Sequence, residues 1–354
     1  MIDSFNYDIN PARIVFGPGS LARLADEVQR LGCTRALVLT TTFQKDAGQR
    51  VVRQLGAKAA GLFAGAVMHT PVDVTEAAMQ VVAQTQADCV IAYGGGSTIG
   101  LGKAIALRTD LPQIVVATTY AGSEVTPILG ETQDGLKVTK RDVRILPEVV
   151  IYDPELTVSL PVAMSVVSGL NAMAHAVEGL YAKDRNPISA LQAVEGVRAL
   201  REALPGIVEH PADLAARAQA LYGSWLCGTV LGTVGMALHH KLCHTLGGSF
   251  DLPHAETHAV ILPHSLAYNE AHALAELAPL KALFGENLGA GLYDFAASLR
   301  APLALRDLGL KESDLDKAAD IAASNPYWNP RPIERTAIRA LLEDAWQGRR
   351  PEIA

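Results

Sequence analysis

Short apolar runs that alternate with helical segments fill the first 158 residues, and this alternation constrains the fold more than any other feature. Strands that alternate with helices form βαβ units, so this half predicts an α/β domain around a parallel sheet. From about Thr157 onward, apolar residues recur at helical spacing and no further strand is predicted. The predicted strands are Arg13–Phe16, Arg35–Thr40, Ala59–Phe63, Cys89–Tyr93, Gln113–Ala117 and residues 149–154.

The segments between these runs predict the helices of the first half. Ser20 is expected to cap the first of them, because a serine hydroxyl can accept an N–H at a helix start. These helices are Leu21–Leu31, Gly48–Leu55, Val74–Gln86 and Ile99–Arg108.

A glycine-rich loop, Gly94-Gly-Gly-Ser-Thr98, directly follows the strand Cys89–Tyr93 and precedes a predicted helix. Backbone N–H groups and a helix N-terminus in this arrangement can hold a phosphate, and glycine permits the close approach. The spacing is not the GxGxxG of an ordinary dinucleotide fingerprint, and isolated glycine turns often bind nothing. The position between strand and helix nevertheless favours a phosphate site and a dinucleotide-binding domain at residues 1–158.

A hydroxyl-rich loop, Thr118–Thr126, follows the next strand along the chain. Ligands of open α/β sheets bind at the carboxyl ends of the strands, where both loops fall. The loop could instead only cap a helix. The polar segment that comes next could be merely solvated; it contains Lys137, Lys140, Arg141 and Arg144.

Six of the ten histidines lie in one stretch, Gly235–His264. His240 and His244 are four residues apart on a predicted helix, so they share one face. Gly247-Gly248 is expected to end this helix, and a Leu-Pro turn precedes His254, so these three histidines can meet. Single histidines could cap helices or fill polar gaps. The clustering favours a site where imidazole binds a metal, carries a proton or pairs with a carboxylate, in a catalytic domain at residues 159–354.

A second polar face is predicted on the helix that contains Ser168–Tyr181. Asn171, His175 and Glu178 recur there at helical spacing among Ala, Met and Val residues. Buried polar groups need partners, so this face is expected to form a second wall of the histidine site.

Composition limits the classes of function. Apolar residues make up 49% of the 354 residues and charged residues 19%, as is typical of a soluble globular enzyme. A net charge of -7 argues against a nucleic-acid partner, and four scattered cysteines without a CxxC pair indicate neither a zinc ribbon nor a disulfide framework. No signal peptide is predicted. The uncharged stretch Ala218–Leu238 is long enough to span a bilayer, but its polar residues and glycines favour a core helix. We therefore expect a cytoplasmic protein without a membrane partner.

Together these motifs resemble the iron-containing (group III) alcohol dehydrogenase family, whose fold is shared with dehydroquinate synthase and glycerol dehydrogenase. The resemblance spans essentially the whole chain. It implies an α/β N-terminal nucleotide-binding domain, an all-α C-terminal domain and a homodimer. Within the family, Ala117–Pro127 and Ser168–His175 resemble the maleylacetate reductases most. The remaining motifs are Phe16-Gly-Pro-Gly-Ser20, Gly94–Ser97, Asp153-Pro154, Leu160-Pro161, His240, His244 and His254.

The resemblance to the maleylacetate reductases implies an activity and a role for each site residue. NADH would reduce the conjugated carbon–carbon double bond of a small dicarboxylate, maleylacetate, to form 3-oxoadipate in aromatic-compound degradation. The cofactor would lie across the cleft between the domains. The implied catalytic residues are His175, His240, His244 and His254. The implied cofactor-binding residues are Thr41, Gly94, Gly95, Gly96, Ser97, Thr98, Thr118, Thr119, Tyr120, Ser123, Thr126 and Lys137.

Two departures from the family pattern modify these expectations. Metal-dependent members have an aspartate at the place of Asn171, and a neutral amide oxygen binds a divalent ion more weakly. We therefore expect no tightly bound metal, although three histidines alone can hold zinc. Thr41 stands where members strict for NAD have an acidic residue, so NADPH is expected to be tolerated beside NADH.

Three alternatives remain open at this point. The first is a metal-dependent alcohol or polyol dehydrogenase of the same family. The second is a non-redox lyase of the dehydroquinate synthase type, and the third is a nucleotide-binding sensor without catalysis. Chlorinated maleylacetates also remain open as substrates.

Overall fold

The computed structural model describes residues 12–133 and 136–352 together with Phe5, Tyr7 and Asn10, and the side chains of Leu136 and Lys137 lie outside the described part. The chain divides into two compact units, Ile9–Leu160 and a second formed mainly by Pro161–Ala354. This division falls two residues beyond the boundary expected from the sequence. The first unit is α/β, and every described element of the second unit is helical, as predicted.

The α/β unit is built on a six-stranded parallel sheet. Its strands are β1 Arg13–Phe16, β2 Ala36–Leu39, β3 Ala59–Phe63, β4 Cys89–Gly94, β5 Gln113–Ala117 and β8 Val149–Tyr152, and a separate hairpin is formed by β6 Ile128–Gln133 and β7 Leu136–Arg141. The order in the sheet is β1-β8-β5-β4-β2-β3. The four inner strands are buried along their whole length, which explains why they appear in the sequence as continuous apolar runs.

Four helices pack on the two faces of this sheet, namely α1 Leu24–Arg30, α2 Lys45–Leu55, α3 Val72–Thr85 and α4 Gly96–Thr109. Successive strand residues point to opposite faces. Val38 accordingly packs with α1 and α2, whereas its neighbours Leu37 and Leu39 pack with α3 and α4. The sheet therefore buries one apolar layer on each side, and its strand ends are left to carry polar loops.

One prediction in this unit is wrong, and one strand pair was not predicted. Ser20 does not cap a helix, because its hydroxyl donates to the carbonyl of Tyr152. The N–H groups of Gly19 and Leu21 donate instead to the carboxylate of Asp153, which is distant in the sequence. Strand β7, which was not predicted, takes up most of the polar segment and pairs antiparallel with β6, and its residues Val138–Arg141 are exposed. A two-stranded ribbon needs no apolar run, so its sequence lacks the usual strand signal.

The helical unit contains ten helices among the residues that the structure describes. They are α5 Val162–Leu180, α6 Pro187–Glu209, α7 Leu214–Thr233, α8 Leu238–Phe250, α9 His254–Glu270, α10 Leu274–Leu277, α11 Lys281–Phe284, α12 Leu288–Ser298, α13 Leu315–Ser324 and α14 Arg335–Gln347. Apolar residues of α8, α9, α13 and α14 form one core cluster of this unit. This core holds the two histidine-bearing helices α8 and α9 side by side.

Helix α8 differs from its predicted bounds. It continues through Gly247-Gly248 to Phe250, so the glycine pair does not end it. Asp251 ends it, with a left-handed φ of 54°, and Pro253 follows. His254 then begins α9, as expected from the Leu-Pro turn. Helix α7 ends at Thr233, and therefore the predicted continuous helix to Leu238 is broken before α8.

None of the described helices is by itself long and apolar enough to cross a membrane. Helices α7 and α8 pass such a test only as a pair, by length and composition, and a bend of 94° separates them.

Glycines allow α6 and α7 to approach closely, as the sequence of α7 predicted. A Cβ atom at Gly223 would lie 3.0 Å from the carbonyl oxygen of Gly196 and 2.8 Å from the side chain of Leu200. A Cβ atom at Gly196 would meet Cys227 at 2.7 Å. Backbone atoms cannot move away as a flexible side chain can, so both positions require glycine at this helix spacing.

Replacing Gly223 by alanine is therefore expected to lower the free energy of unfolding by about 1–3 kcal/mol, because the added methyl group overpacks the α6–α7 crossing. Chemical denaturation monitored by far-UV circular dichroism measures this loss. Gly248→Ala is the matched control, since nothing lies within 4 Å of a Cβ atom there. Equal stability of the two variants would contradict the close packing of α6 on α7.

Candidate active site

The glycine loop lies where strand β4 passes directly into helix α4. Gly94 has a φ of 153°, and a Cβ atom there would lie 2.5 Å from the hydroxyl of Thr98. A Cβ atom at Gly95 would lie 2.6 Å from the side chain of Thr119. Helix α4 starts at Gly96, earlier than predicted, so the loop itself forms the first helical turn. The first N–H groups of a helix have no partner within it, which suits a bound phosphate.

Gln44 links the ends of three neighbouring strands in the α/β unit. It follows β2, and its side-chain amide donates to the hydroxyl of Thr118 after β5 at 3.2 Å. The backbone N–H of Thr118 donates to the carbonyl of Gly94, at the end of β4, at 3.1 Å. Thr41 accepts the backbone N–H of Gln44 at 3.3 Å. The predicted residues after β2, β4 and β5 therefore meet, and Gln44, which the sequence did not single out, connects them.

Two of the hydroxyls implied to bind the cofactor, those of Tyr120 and Thr126, lie inside the α/β unit. Tyr120 is fully buried. The buried Thr126 accepts from the ammonium of Lys103 at 2.8 Å and donates to the carbonyl of Ser123. Tyr120 and Thr126 thus support the loop from within the α/β unit. Ser123 itself is half-buried. The side chain of Lys137 lies outside the described residues.

Lys103, which the sequence did not indicate, is the centre of this support. Its ammonium also donates to the carbonyls of Ser123 at 2.6 Å and Ile128 at 2.9 Å. Complete burial lowers the pKa of Lys103 to about 7. The lysine ties the hydroxyl-rich loop to strand β6 from the interior.

The histidine cluster of the helical unit is organised around the buried carboxylate of Glu178. This carboxylate accepts from Nδ1 of His240 at 2.6 Å and from the backbone N–H groups of Ala237 at 3.1 Å and His239 at 2.6 Å. The opposite nitrogen of His240, Nε2, lies 3.0 Å from Nδ1 of His175. The predicted second wall on α5 therefore does contact the histidines of α8.

His244 and His254 lie at the more exposed side of the same cluster, and both are half-buried. The ring of His244 is centred 5.9 Å from that of His240, and its Nδ1 lies 3.1 Å from the hydroxyl of Tyr327. The ring of His254 is centred 4.4 Å from that of His258. His258 in turn lies 5.1 Å from His240. The structure thus brings all four predicted catalytic histidines into one group.

The sequence missed two parts of this group. His239 and His258 appeared only as members of the histidine-rich stretch, yet both are fully buried beside the cluster and bond to each other at 2.8 Å. Tyr327 comes from the aromatic segment 325–332, which is held on α9 by a reciprocal amide pair between Asn329 and Asn269. Only the unusual concentration of aromatic and polar residues in that segment could have indicated it.

Burial lowers the pKa values of three histidines in this stretch of sequence. It lowers the pKa of His239 and of His258 well below the usual histidine range, and the neighbouring imidazoles add to the effect. Both rings are therefore neutral near pH 7. His264 lies outside the cluster, although it belongs to the same stretch of sequence, and burial lowers its pKa to about 4.

Four side chains were expected, from the family resemblance, to occupy the positions of the metal ligands in metal-dependent members. Asn171 offers an amide oxygen, and His175, His240 and His254 offer imidazole nitrogens. The Asn171 Oδ1 atom is buried without a hydrogen-bond partner among the described residues. No member of this set is anionic. The carboxylate of Glu178, which contacts His240, already accepts four hydrogen bonds, from Ala237, His239 and His240.

Comparison with protein families and known proteins finds relatives over the full length of the chain. The model for the C-terminal part of the Fe-containing alcohol dehydrogenase family matches residues 165–346, and the model for iron-containing alcohol dehydrogenases matches residues 11–154. The maleylacetate reductase of Rhizobium sp. strain MTP-10005 is 63% identical over 98% of this chain and 99% of its own length. That of Burkholderia cepacia is 53% identical over 99% of this chain and 100% of its own length.

Solved structures show the same similarity over the full chain. The crystal structure of maleylacetate reductase from Agrobacterium tumefaciens has a TM-score of 0.97 and 62% identity, covering 99% of this chain and 100% of that chain. A 1,3-propanediol oxidoreductase has a TM-score of 0.91 at 28% identity, covering 97% of this chain and 100% of that chain.

The buried His264 predicts a loss of stability in acid. Its folded pKa is about 4, below the ordinary value of 6.5, so the unfolded chain alone binds the proton between these pH values. Stability should therefore fall as pH falls from 6.5 to 4, by about 3 kcal/mol from this group. Urea denaturation at several pH values measures the slope.

His264→Gln should reduce this slope, because glutamine does not titrate. His272→Gln, at an exposed position, serves as the control and should retain the slope of the unmodified protein. Identical slopes for both variants would contradict the assignment of a neutral His264 in the folded chain.

Proposed function

This chain belongs to the iron-containing alcohol dehydrogenase family, and we propose that within it the chain acts as a maleylacetate reductase. The observation that carries the proposal is the histidine cluster around Glu178 with Asn171 in place of an anionic metal ligand. Similarity to curated maleylacetate reductases over the full chain supports the substrate. The proposed reaction converts maleylacetate, reduced nicotinamide nucleotide and a proton into 3-oxoadipate and the oxidised nucleotide.

The reaction needs three contributions from the protein. A hydride adds to the carbon–carbon double bond conjugated with the ketone, and the electron pair of that bond moves onto the ketone oxygen as an enolate. Donors must stabilise the enolate, and a proton must then reach the neighbouring carbon. Two substrate carboxylates also need cationic or N–H partners. Imidazoles can fill each of these roles, because one ring can donate a hydrogen bond, carry a proton and pair with an anion.

We assign the proton-carrying role to the contacting pair His175 and His240. The carboxylate of Glu178 accepts a hydrogen bond from Nδ1 of His240 and keeps the ring proton there. The other ring nitrogen, Nε2, therefore faces Nδ1 of His175. The half-buried His244 and His254 are assigned to the substrate carboxylates and the enolate oxygen. Lys241 is an additional candidate for a carboxylate, since its ammonium lies 5.6 Å from the ring centre of Tyr327 next to His244.

We propose that this chemistry proceeds without a tightly bound iron ion. One amide oxygen and three imidazoles leave the charge of a divalent ion uncompensated, so the donor set does not fit the metal of the family. The second candidate function is a metal-dependent alcohol dehydrogenase. The buried Oδ1 atom of Asn171 favours this candidate. It has no hydrogen-bond partner among the described residues, and a metal ion would supply one.

The α/β unit is proposed to bind the nicotinamide nucleotide. The N–H groups of Gly95, Gly96 and Ser97 would hold the pyrophosphate. Thr98, which was also expected there, is fully buried and its N–H donates to the carbonyl of Gly95, so it supports the loop from within. Thr41 follows β2 without a carboxylate to repel a 2′-phosphate, so NADPH would be used beside NADH. Thr118 and Thr119 would lie on the nicotinamide side. A homodimer is proposed from the family resemblance.

The decisive experiment is oxidation of NADH with maleylacetate as the acceptor, followed at 340 nm with and without EDTA. We expect full activity in both cases and no stoichiometric metal in the purified protein by elemental analysis. His254→Ala should abolish turnover and leave NADH binding measurable by fluorescence. Loss of activity with EDTA and its return with Fe²⁺ or Zn²⁺ would favour the second candidate instead.

Restoring a carboxylate at Asn171 should convert the cluster into a metal site. We expect Asn171→Asp to bind Zn²⁺ tighter than the unmodified chain, on the order of 10–100-fold, the range that partners of metal ligands contribute. Isothermal titration measures the affinity, and Asn171→Ala is the matched control that should gain none. A variant with aspartate that binds zinc no better than the control would contradict the proposed reason for metal-free chemistry.

A further inference from the structure

A second hydrogen-bond chain runs behind the catalytic histidines and has no role in the function proposed above. It begins at Ser265 on α9, whose hydroxyl lies 3.1 Å from Nδ1 of His239. Nε2 of His239 then lies 2.8 Å from Nδ1 of His258. All three side chains are almost completely buried. Because water cannot exchange with these groups freely, each hydrogen bond must have one donor and one acceptor within the protein.

The direction of the first bond follows from the serine hydroxyl. Ser265 donates its single hydrogen to the carbonyl of Leu262 at 3.1 Å. Its oxygen must therefore accept from His239, which places the ring proton of His239 on Nδ1. A neutral imidazole carries only one N–H, so Nε2 of His239 is left with a lone pair.

A cysteine on the same helix supports this assignment. The sulfur of Cys243 lies 3.6 Å from Nε2 of His239. Burial raises the pKa of Cys243 well above the usual thiol range, so the group is a thiol and can donate its S–H. Nε2 of His239 thus faces the thiol, which agrees with a lone pair at this atom.

The proton on Nδ1 of His258 leaves Nε2 of His258 as an acceptor. This nitrogen is buried and has no hydrogen-bond partner among the residues that the structure describes. The opposite polarity of the chain would place an N–H there without an acceptor, and orphaned buried N–H groups are rarer than under-satisfied acceptors. Through the ring of His239, the serine therefore determines whether Nε2 of His258 is a hydrogen-bond donor or acceptor.

We propose that Ser265 and His239 preset Nε2 of His258 as a permanent hydrogen-bond acceptor, and that His258 is a positioning residue for His254. His254 is chosen because its ring is the nearest, centred 4.4 Å away and edge-on at 65°, one helical turn earlier on α9. Nε2 of His258 has no partner among the described residues, and an N–H of His254 is proposed to donate to it in the substrate complex. That hydrogen bond would hold the other nitrogen of His254 in a set direction. The positioning role rests on the proposed function, which assigns His254 to the substrate.

Neutron diffraction from crystals of the perdeuterated full-length protein without substrate tests the preset acceptor. We expect deuterium on Nδ1 of His239 and on Nδ1 of His258, and none on Nε2 of His258. Deuterium on Nε2 of His258 would overturn the proposal. A metal ion bound between His239, Cys243 and His258, whose ligand atoms lie within 4.8 Å of one another, would also overturn it.

Ser265→Ala tests the positioning role without touching either ring. Loss of the hydroxyl removes the acceptor for Nδ1 of His239, so the chain should reverse and His258 should carry its proton on Nε2. We expect kcat for maleylacetate to fall on the order of 10–100-fold, as for other partners of functional imidazoles, while the KM for NADH and the melting temperature stay near those of the unmodified enzyme. Ser265→Thr keeps the hydroxyl and is the matched control, with kcat and tautomers unchanged.

The outcomes separate this inference from the function on which it depends. Unchanged kcat in Ser265→Ala, in an otherwise active enzyme, would overturn the positioning role. A fall in kcat that the threonine variant shares, or that accompanies an equal loss of NADH affinity, would indicate a merely structural serine and overturn it as well. If the unmodified protein does not reduce maleylacetate, the proposed function and the positioning role both fail. The neutron map still decides the tautomer of His258 by itself.

Discussion

The buried carboxylate of Glu178 is the interaction on which the rest of the helical unit's site depends. It lies on α5 and accepts backbone N–H groups at the start of α8, which is where an anion is most favourable on a helix. The same carboxylate holds Nδ1 of His240. One side chain therefore fixes both where α8 begins and which nitrogen of His240 faces His175. A charge buried this completely is tolerated only because four donors surround it.

This placement of the negative charge explains the chemistry that the cluster supports. In a metal site, an anionic ligand would contact the ion directly. Here the carboxylate lies behind the imidazole of His240. The cluster consequently combines neutral, buried rings such as His239 and His258 with half-buried rings such as His254. In the proposed function, the buried rings orient their neighbours, and the half-buried rings contact the anionic substrate that enters from solvent.

In the α/β unit, close packing at the strand ends fixes the geometry of the loops. Gly94 and Gly95 are required because the side chains of Thr98 and Thr119 occupy the space of a Cβ atom. Gln44, in the turn after β2, and Lys103, on α4, then hold the neighbouring loops by hydrogen bonds. The loop geometry is thus set by contacts between residues that are far apart in the chain.

Periodic features of the sequence determined the fold class, the order of β and α elements and the glycine loop between β4 and α4, because each depends on neighbours within a few residues. The spacing of His240 and His244 likewise placed both on one helix face. Tertiary structure alone decided the rest. The cap on Gly19 and Leu21 comes from Asp153, the links to Thr118 and His244 come from Gln44 and Tyr327, and the helix predicted to end at Gly247-Gly248 continues to Phe250. The physical reason is that hydrogen-bond partners and packing neighbours of this kind are distant in sequence. Local propensity acts only over a turn or a strand, and it does not specify which distant side chain will satisfy a given donor.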